Sequence, residues 1–358
     1  MLNLSQMKTT LKTSTVPHSE HSRGTILWAI DPSEPETQPE RSLTHELLRW
    51  AKIAKIKIQA TYALPKPVSE VGYPLDVPDL AHYMDAAKQT AERYLKEIGA
   101  GETMPVHLLP VESTSRKEFV SQIDEQADQL RSPCIAVSSH GRSGLPRFVL
   151  GSFSENLLRH SSHPILFLTH DMPAYKHDDA VTRVLFPTDF SDLSRQAYHH
   201  FLIATRGLPI ELVLFHSVFL PEAVLESEFG AAVDIPDDYI PNQLSWAKTE
   251  ANRWVRVALA NGTRCRFVVH EDGIGPDTGK TILSLADREG IALIVMAAVE
   301  GPIRSLLFGS VADHVFRANR YPVWMYGPTS LVKLPHSNLV PVEFSETMDT
   351  MSIAKPAV

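Results

Sequence analysis

The sequence is poor in cysteine. It holds two, Cys134 and Cys265, far apart and outside any Cys-x-x-Cys pair. A disulfide framework and a zinc site built on paired thiolates are therefore excluded. Apolar residues flank both cysteines, so we predict two buried, unreactive thiols on β-strands.

Long hydrophobic runs and a positive net charge are also missing. No stretch approaches the roughly 20 apolar residues of a membrane span, and the first 22 residues lack the apolar run of a signal peptide. Lys and Arg number 34 against 42 Asp and Glu, a net charge of -8, which disfavours broad attraction to nucleic acid or anionic lipid. We expect a cytoplasmic protein with neither nucleic acid nor membrane as a partner.

The composition is that of an ordinary globular protein. Apolar residues make up 43% of the 358 residues, which is enough for a sizeable core. A chain of this length exceeds the usual size of one hydrophobic core, so we expect two domains.

The chain repeats itself with a constant offset. An apolar run ending in Asp31 resembles one ending in Asp189, and the Leu-Gly-Ser stretch at Gly151 resembles the Phe-Gly-Ser stretch at Gly309. Both pairs are separated by 158 residues, as are Pro164 and Pro322. Chance would rarely preserve three such registers, so we infer a tandem duplication. Its predicted parts are an N-terminal arm, a first unit, a linker, a second unit and a C-terminal tail, at residues 1–23, 24–170, 171–181, 182–328 and 329–358.

Short runs rich in Ile, Val, Leu and Phe alternate in each unit with segments of helical period, which indicates an α/β fold with a parallel sheet. Amphipathic helices are predicted near residues 79–95 and 242–255, after Pro-rich connections at 64–78 and 219–241. Five strands are predicted per unit, at residues 25–31, 56–63, 105–111, 133–139 and 164–169, and at 182–188, 210–218, 265–270, 291–297 and 322–326.

A glycine-containing loop follows the fourth strand of the first unit. It runs from Ser138 through Gly141 and Arg142 to Gly151 and ends where a helix begins at Ser152. Glycines let backbone amides approach an anion, and a helix amino terminus offers unpaired N–H groups. A phosphate site and an ordinary strand-to-helix loop both fit this pattern.

An aspartate ends the first strand of each unit. In open α/β sheets ligands bind outside the carboxyl ends of the strands, which is where Asp31 and its copy Asp189 fall. Each carboxylate could accept hydrogen bonds from a ligand or simply cap the next helix.

The combination resembles the universal stress protein family, in which an Asp follows the first strand and a Gly-x2-Gly-x9-Gly-Ser/Thr pattern follows the fourth. The resemblance implies two tandem five-stranded parallel-sheet sandwich units, Rossmann-like and similar to adenine nucleotide alpha hydrolases. It implies Asp31 on the adenosine side of a bound ATP, with Mg²⁺, and Gly141, Gly151 and Ser152 on the phosphate side, with Arg142 nearby. Ser138 replaces the first glycine, and its Cβ would cost roughly 1–2 kcal/mol if that position needs positive φ.

The second unit departs further from this pattern. Met296 and Val299 stand at the first two glycine positions, and Glu300 adds a negative charge, so we expect no ATP there. The segment from Gly273 to Thr281 superficially resembles a Walker A loop, but its glycine spacing does not match. We interpret it as a turn that begins a helix.

No nucleophile, carboxylate pair or metal-ligand spacing is placed by a motif. The 16 histidines are interpreted as scattered over the surface.

We therefore expect a stress-response regulator that binds ATP or another adenine nucleotide in unit 1, with slow ATP hydrolysis at most. The alternative is a scaffold that contacts a protein or an apolar ligand. The resemblance implies a pseudo-dimer within the chain, packed through the last strands of both units; a homodimer of the whole chain and an unknown protein partner stay open.

Overall fold

The computed structural model describes residues 24–32, 44, 47–49, 51–52, 55–65, 80–100, 104–111, 115–138, 152–168, 181–220, 237–274, 277–298, 309–318 and 320–332. The predicted arm 1–23 and most of the linker 171–181 and of the tail 329–358 lie outside these ranges. In the described part of the chain, no helix combines the length and the apolar character needed to cross a membrane.

The first unit alternates strands and helices. Its elements in chain order are β1 (Thr25–Ala29), β2 (Lys57–Pro65), α1 (Leu80–Glu97), β3 (Val106–Val111), α2 (Arg116–Gln129), β4 (Ile135–Ser138), α3 (Ser152–His160) and β5 (Ile165–Leu168). Residues 44, 47–49 and 51–52, between β1 and β2, are also helical.

The second unit repeats this order. Its elements are β6 (Thr182–Pro187), α4 (Asp192–Ala204), β7 (Ile210–Leu220), α5 (Tyr239–Ala260), β8 (Arg264–Ile274), α6 (Thr278–Glu289), β9 (Leu293–Ala297), α7 (Ser310–Ala318), β10 (Val323–Tyr326) and α8 (Pro328–Val332). The ten strands confirm the ten predicted ones, and their ends shift by only a few residues. α1, α3, α5 and α6 occupy the four stretches for which helices were predicted.

All ten strands form one sheet in the order β3-β2-β1-β4-β5-β10-β9-β6-β7-β8. Strands within each unit pair in parallel. β5 and β10, the last strands of the two units, pair antiparallel, with Leu166 opposite Trp324. The two units therefore share one continuous sheet, and their strands run in opposite directions.

Helices cover both faces of the sheet, as a parallel sheet with buried strands requires. Each face has its own hydrophobic cluster. One contains Trp28 of β1 and Phe186 of β6, and the other contains Leu27 and Leu185 from the neighbouring positions. Both clusters thus combine residues from both units.

The chain beyond the second unit begins as ordered structure. α8 extends the described helices four residues past 328, and Leu331 is buried. Thr329 Oγ1 donates to the Arg159 carbonyl at the end of α3, at 2.8 Å. This short helix therefore ties the last strand of unit 2 to unit 1.

The cysteines are unreactive, as predicted, but only one of them is fully buried and only one lies on a strand. Cys134 is buried directly before β4, and Cys265 lies within β8 but is only half-buried. Burial raises the pKa of the Cys134 thiol far above its usual range and that of Cys265 to about 12. Both sulfurs are therefore protonated thiols at neutral pH, which makes them poor nucleophiles.

Candidate functional site

Each unit has a point where the strand order reverses. β1 lies between β2 and β4, and the chain runs outward to β3 before it crosses back to β4. β6 lies in the same way between β7 and β9. Ligands of open α/β sheets bind at the carboxyl side of such switch points, where loops leave in opposite directions.

Asp31 lies just after β1, and Ser138 is the last residue of β4; these two strands flank the switch point of unit 1. β1 and β4 pair with Ala29 opposite Val137, which places Ser138 opposite Ile30 and beside the start of the loop at Asp31. Asp31 is exposed, and Ser138 is half-buried. The predicted adenosine-side residue and the first residue of the predicted phosphate loop therefore share one edge of the sheet.

Tyr62 of β2 belongs to the same site, although no sequence motif pointed to it. Its pKa is raised by burial, and further by the charges of Asp31 and Tyr83. The backbone N–H of Ile30 donates to the Thr61 carbonyl at 3.0 Å, which brings the end of β2 alongside Asp31. The Tyr62 phenol thus lies within electrostatic range of the Asp31 carboxylate.

The remaining predicted residues are only partly within the described chain. α3 begins at Ser152, as predicted, but the side chain of Ser152 lies outside the described residues, as do Gly141, Arg142 and Gly151. The predicted phosphate contacts therefore stay predictions.

Unit 2 has an open cleft of about 470 Å³ at its own switch point. The carboxyl ends of β6, β7 and β9 form its floor, and the first residues of α6 and α7, Thr278 and Ser310, line it. Such a volume is typical of small-molecule sites. The unit whose sequence pattern is more degenerate therefore retains a ligand-sized cleft.

Asp189 lines this cleft and is held by its own loop. Its Oδ1 accepts hydrogen bonds from the Ser191 backbone N–H at 2.9 Å and from Ser194 Oγ at 2.6 Å. Partial burial raises the pKa of the carboxyl, but these hydrogen bonds outweigh it and leave the pKa below its usual range. Ser191, rather than Asp189, caps α4, because its side chain accepts from the Ser194 backbone N–H. Asp189 is thus an ionised carboxylate at the cleft and not the helix cap.

His216 lines the cleft beside Asp189. Its Nδ1 lies 2.8 Å from the Thr188 carbonyl oxygen; because a carbonyl only accepts, Nδ1 carries the hydrogen. Burial lowers the pKa of the ring, which the Thr188 hydrogen bond and the charge of Asp189 oppose in part. The neutral ring therefore has an acceptor at Nε2.

The loop after Asp189 has an uncommon backbone. Phe190 has φ +59°, and its buried ring packs against His216, Trp246 and Trp254. Pro32 stands one residue after Asp31 in unit 1, and proline cannot adopt positive φ. The loops that follow the two aspartates therefore differ in conformation.

His216 is the structural counterpart of Tyr62. Ala29 pairs with Thr61 in unit 1, and Pro187 pairs with Phe215 in unit 2, so the next residues, Tyr62 and His216, correspond. The connection between the first two strands is four residues longer in unit 1, which breaks the 158-residue offset there. A comparison at constant offset aligns His216 with Ile58 and misses the pair.

The Walker-like segment begins a helix, as predicted. Asp277 caps α6 by accepting from the Lys280 backbone N–H at 3.2 Å, and its carboxylate also binds Lys280 Nζ at 2.6 Å. The lysine side chain is therefore paired with the cap of its own helix.

The interpretation of the histidines as surface residues is wrong for several of them. His163, His199 and His200 are half-buried, as is His216. His163 Nε2 lies 3.3 Å from Asp128 Oδ1, and His200 Nδ1 lies 3.0 Å from the Tyr326 hydroxyl. The part of the chain that the structure describes contains no cluster of three or more candidate metal ligands.

Comparisons with known proteins agree with this architecture. The model of the Universal stress protein family matches residues 23–168 and again 180–327. No match to the chain was found among curated proteins.

Two solved structures illustrate the shared fold. A universal stress protein from Archaeoglobus fulgidus DSM 4304 is 20% identical, covers 86% of this chain and 99% of its own, and has a TM-score of 0.53. A candidate universal stress protein from Pseudomonas aeruginosa UCBPP-PA14 is 14% identical, with 87% and 95% coverage and a TM-score of 0.50. With both halves matched by the family and the α/β fold shared, the chain belongs to the universal stress protein family, as a tandem of two units.

Proposed function

We propose that the protein is a cytoplasmic stress-response regulator that binds an adenine nucleotide, ATP with Mg²⁺, in unit 1. The observation that carries the proposal is the placement of Asp31 just after β1 and of Ser138 at the end of β4, the two strands that flank the switch point, with α3 beginning at Ser152. Asp31 and Tyr62 would hold the adenosine side. The loop and the helix start would hold the phosphates.

The charges of the two loops support this assignment to unit 1. Residues 139–151 contain Arg142 and Arg147 and no acidic residue, whereas residues 299–308 of unit 2 contain one Glu and one Arg. A loop with a net charge of two positive units favours a polyphosphate, and a neutral loop does not. We therefore propose ATP for unit 1 and none for unit 2.

The groups at the unit 1 site suit binding better than chemistry. Asp31 is exposed, and the nearby Tyr62 phenol has a raised pKa. A phenol of raised pKa stays protonated at neutral pH, so it is a poor general base there. Bound Mg²⁺ would neutralise phosphate charge. We propose that the nucleotide acts as a regulatory ligand, with slow hydrolysis at most.

Extraction of the purified chain tests the proposal directly. We expect denatured wild-type protein to release adenine nucleotide, and Mg²⁺-ATP at about 1 mM to raise its melting temperature, since a ligand of the native state stabilises it. Gly151→Asp should abolish both effects, because a carboxylate at the helix start repels phosphate.

Gly309→Asp is the matched control at the same place in unit 2. A Cβ at Gly309 meets no atom within 4 Å, so this variant should fold and keep the wild-type response to ATP. Absence of nucleotide together with an unmoved melting temperature would refute the proposal.

The alternative is a scaffold that contacts a protein or an apolar ligand. It is favoured by two large side chains beside the unit 2 cleft, Phe219 and Trp246, which are 40% and 46% exposed. The predicted contact loops, 64–78 and 219–241, lie mostly outside the described residues. Capture of a partner that survives Gly151→Asp and is lost in Trp246→Ala would favour this function.

A further inference from the structure

The unit 2 cleft carries one sign of charge. Asp189 is the one charged side chain among the described residues that line it, and none of these lining residues is Lys or Arg. An anionic group beside Asp189 would therefore meet repulsion that no Lys or Arg among the described lining residues offsets.

Two polar side chains on the cleft wall, Asp189 and His216, are acceptors. Asp189 offers a carboxylate, and His216 is a neutral ring whose Nδ1–H is already donated to Thr188, which leaves Nε2 as an acceptor. Ser194 Oγ donates to Asp189. A ligand that pairs with these groups must supply the hydrogens, as an amine or amidine does.

The rest of the wall is apolar and aromatic. Phe215, Phe219, Ile282 and Met296 line the cleft. The Phe219 ring is 40% exposed, and an exposed aromatic face attracts cations. Such walls suit the body of an amphipathic ligand rather than a chain of phosphates.

We propose that the unit 2 cleft binds a small organic cation, an amine joined to an aromatic or apolar body, in preference to the corresponding anion. The ammonium pairs with Asp189 and donates to His216 Nε2, while the body lies against Phe219 and Ile282. This assignment is independent of the nucleotide proposed for unit 1.

Tryptamine and indole-3-acetate are a matched pair of probes, since they share an indole and carry opposite charges. By isothermal titration calorimetry of the full chain at pH 7, we expect saturable binding of tryptamine at one site. We expect indole-3-acetate to bind at least tenfold more weakly. Excess Mg²⁺-ATP should not displace tryptamine.

Two variants assign the binding to this cleft. Asp189→Asn keeps an acceptor for Ser191 and Ser194 but removes the charge, and should weaken tryptamine binding at least tenfold. Ser310→Arg introduces a cation at an exposed position of the cleft and should weaken it similarly. Asp192→Asn is the control, because this carboxylate is 85% exposed, pairs with Arg195 and does not line the cleft.

Melting temperatures of all three variants verify that they are folded. The proposal is overturned if tryptamine does not bind at low millimolar concentrations, if indole-3-acetate binds as tightly, or if folded Asp189→Asn binds tryptamine like the wild type. ATP binding to unit 1 is measured in separate titrations, so either proposal can fail without the other.

Discussion

The two sites differ most in one pair of equivalent residues. Tyr62 stands beside Asp31, and His216 stands beside Asp189. A tyrosine hydroxyl both donates and accepts, whereas the neutral His216, with its Nδ1–H donated to Thr188, presents only an acceptor. The replacement of a tyrosine by a histidine therefore changes which ligand groups can pair with the aspartate and its neighbour at the same time.

A second histidine, His200, should make the stability of the chain depend on pH. Burial, and then the charge of His163, lowers the pKa of His200 from its usual 6.5 to about 4. Between pH 6.5 and pH 4 the His200 side chain is therefore protonated in the unfolded chain but neutral in the native state. The free energy of unfolding is highest above pH 6.5 and falls by up to about 3 kcal/mol as pH drops towards 4.

His200→Gln removes this titration and can still accept a hydrogen bond from the Tyr326 hydroxyl. We expect the drop in unfolding free energy between pH 7 and pH 4.5 to be about 2–3 kcal/mol smaller in the variant than in the wild type. Urea denaturation at both pH values measures the difference. Equal drops in the two proteins would show that His200 titrates normally in the native state.

At the scale of elements, the sequence predicts most of the strands because they are short apolar runs, and the central ones, such as β4, β5, β9 and β10, are almost entirely buried. The hydrophobic pattern therefore marks them one by one. It does not predict the correspondence of Tyr62 and His216, because a four-residue difference in one connection shifts the register between the copies. Nor does it predict the burial of His200, which lies beside the Tyr326 hydroxyl of β10, far along the chain.

The junction of α3 and α8 depends on a glycine that the sequence pattern did not single out. A Cβ at Gly327 would lie 1.9 Å from the Leu158 carbonyl oxygen, so any side chain there must push α8 away from α3. We expect Gly327→Ala to lower the free energy of unfolding by about 1–3 kcal/mol.

Gly309→Ala is the matched substitution, since a Cβ there meets nothing within 4 Å. Its effect should stay within about 0.5 kcal/mol. Urea denaturation followed by circular dichroism measures both variants. Similar costs for the two substitutions would contradict the close approach of α8 to Leu158.

At the scale of the whole molecule, two units share their cores. Both hydrophobic clusters contain residues of both units, and β5 pairs directly with β10. Loss of either unit would expose apolar surface on the other. We therefore expect one cooperative unfolding transition for the chain, despite its two repeats.

Calorimetry tests this expectation through the ratio of calorimetric to van't Hoff enthalpy, which should be close to one. Leu166→Ala, in buried β5, should lower the single melting temperature without splitting the transition. A ratio near two, or a Leu166→Ala variant with two separate transitions, would mean that the units unfold independently.

The antiparallel pair at the centre of the sheet also sets the direction in which the sites face. Because β5 and β10 run in opposite directions, the carboxyl ends of β1 and β4 lie on one edge of the sheet and those of β6 and β9 on the other. The two candidate sites therefore lie at opposite edges of the sheet. A ligand bound at one edge would leave the other edge accessible.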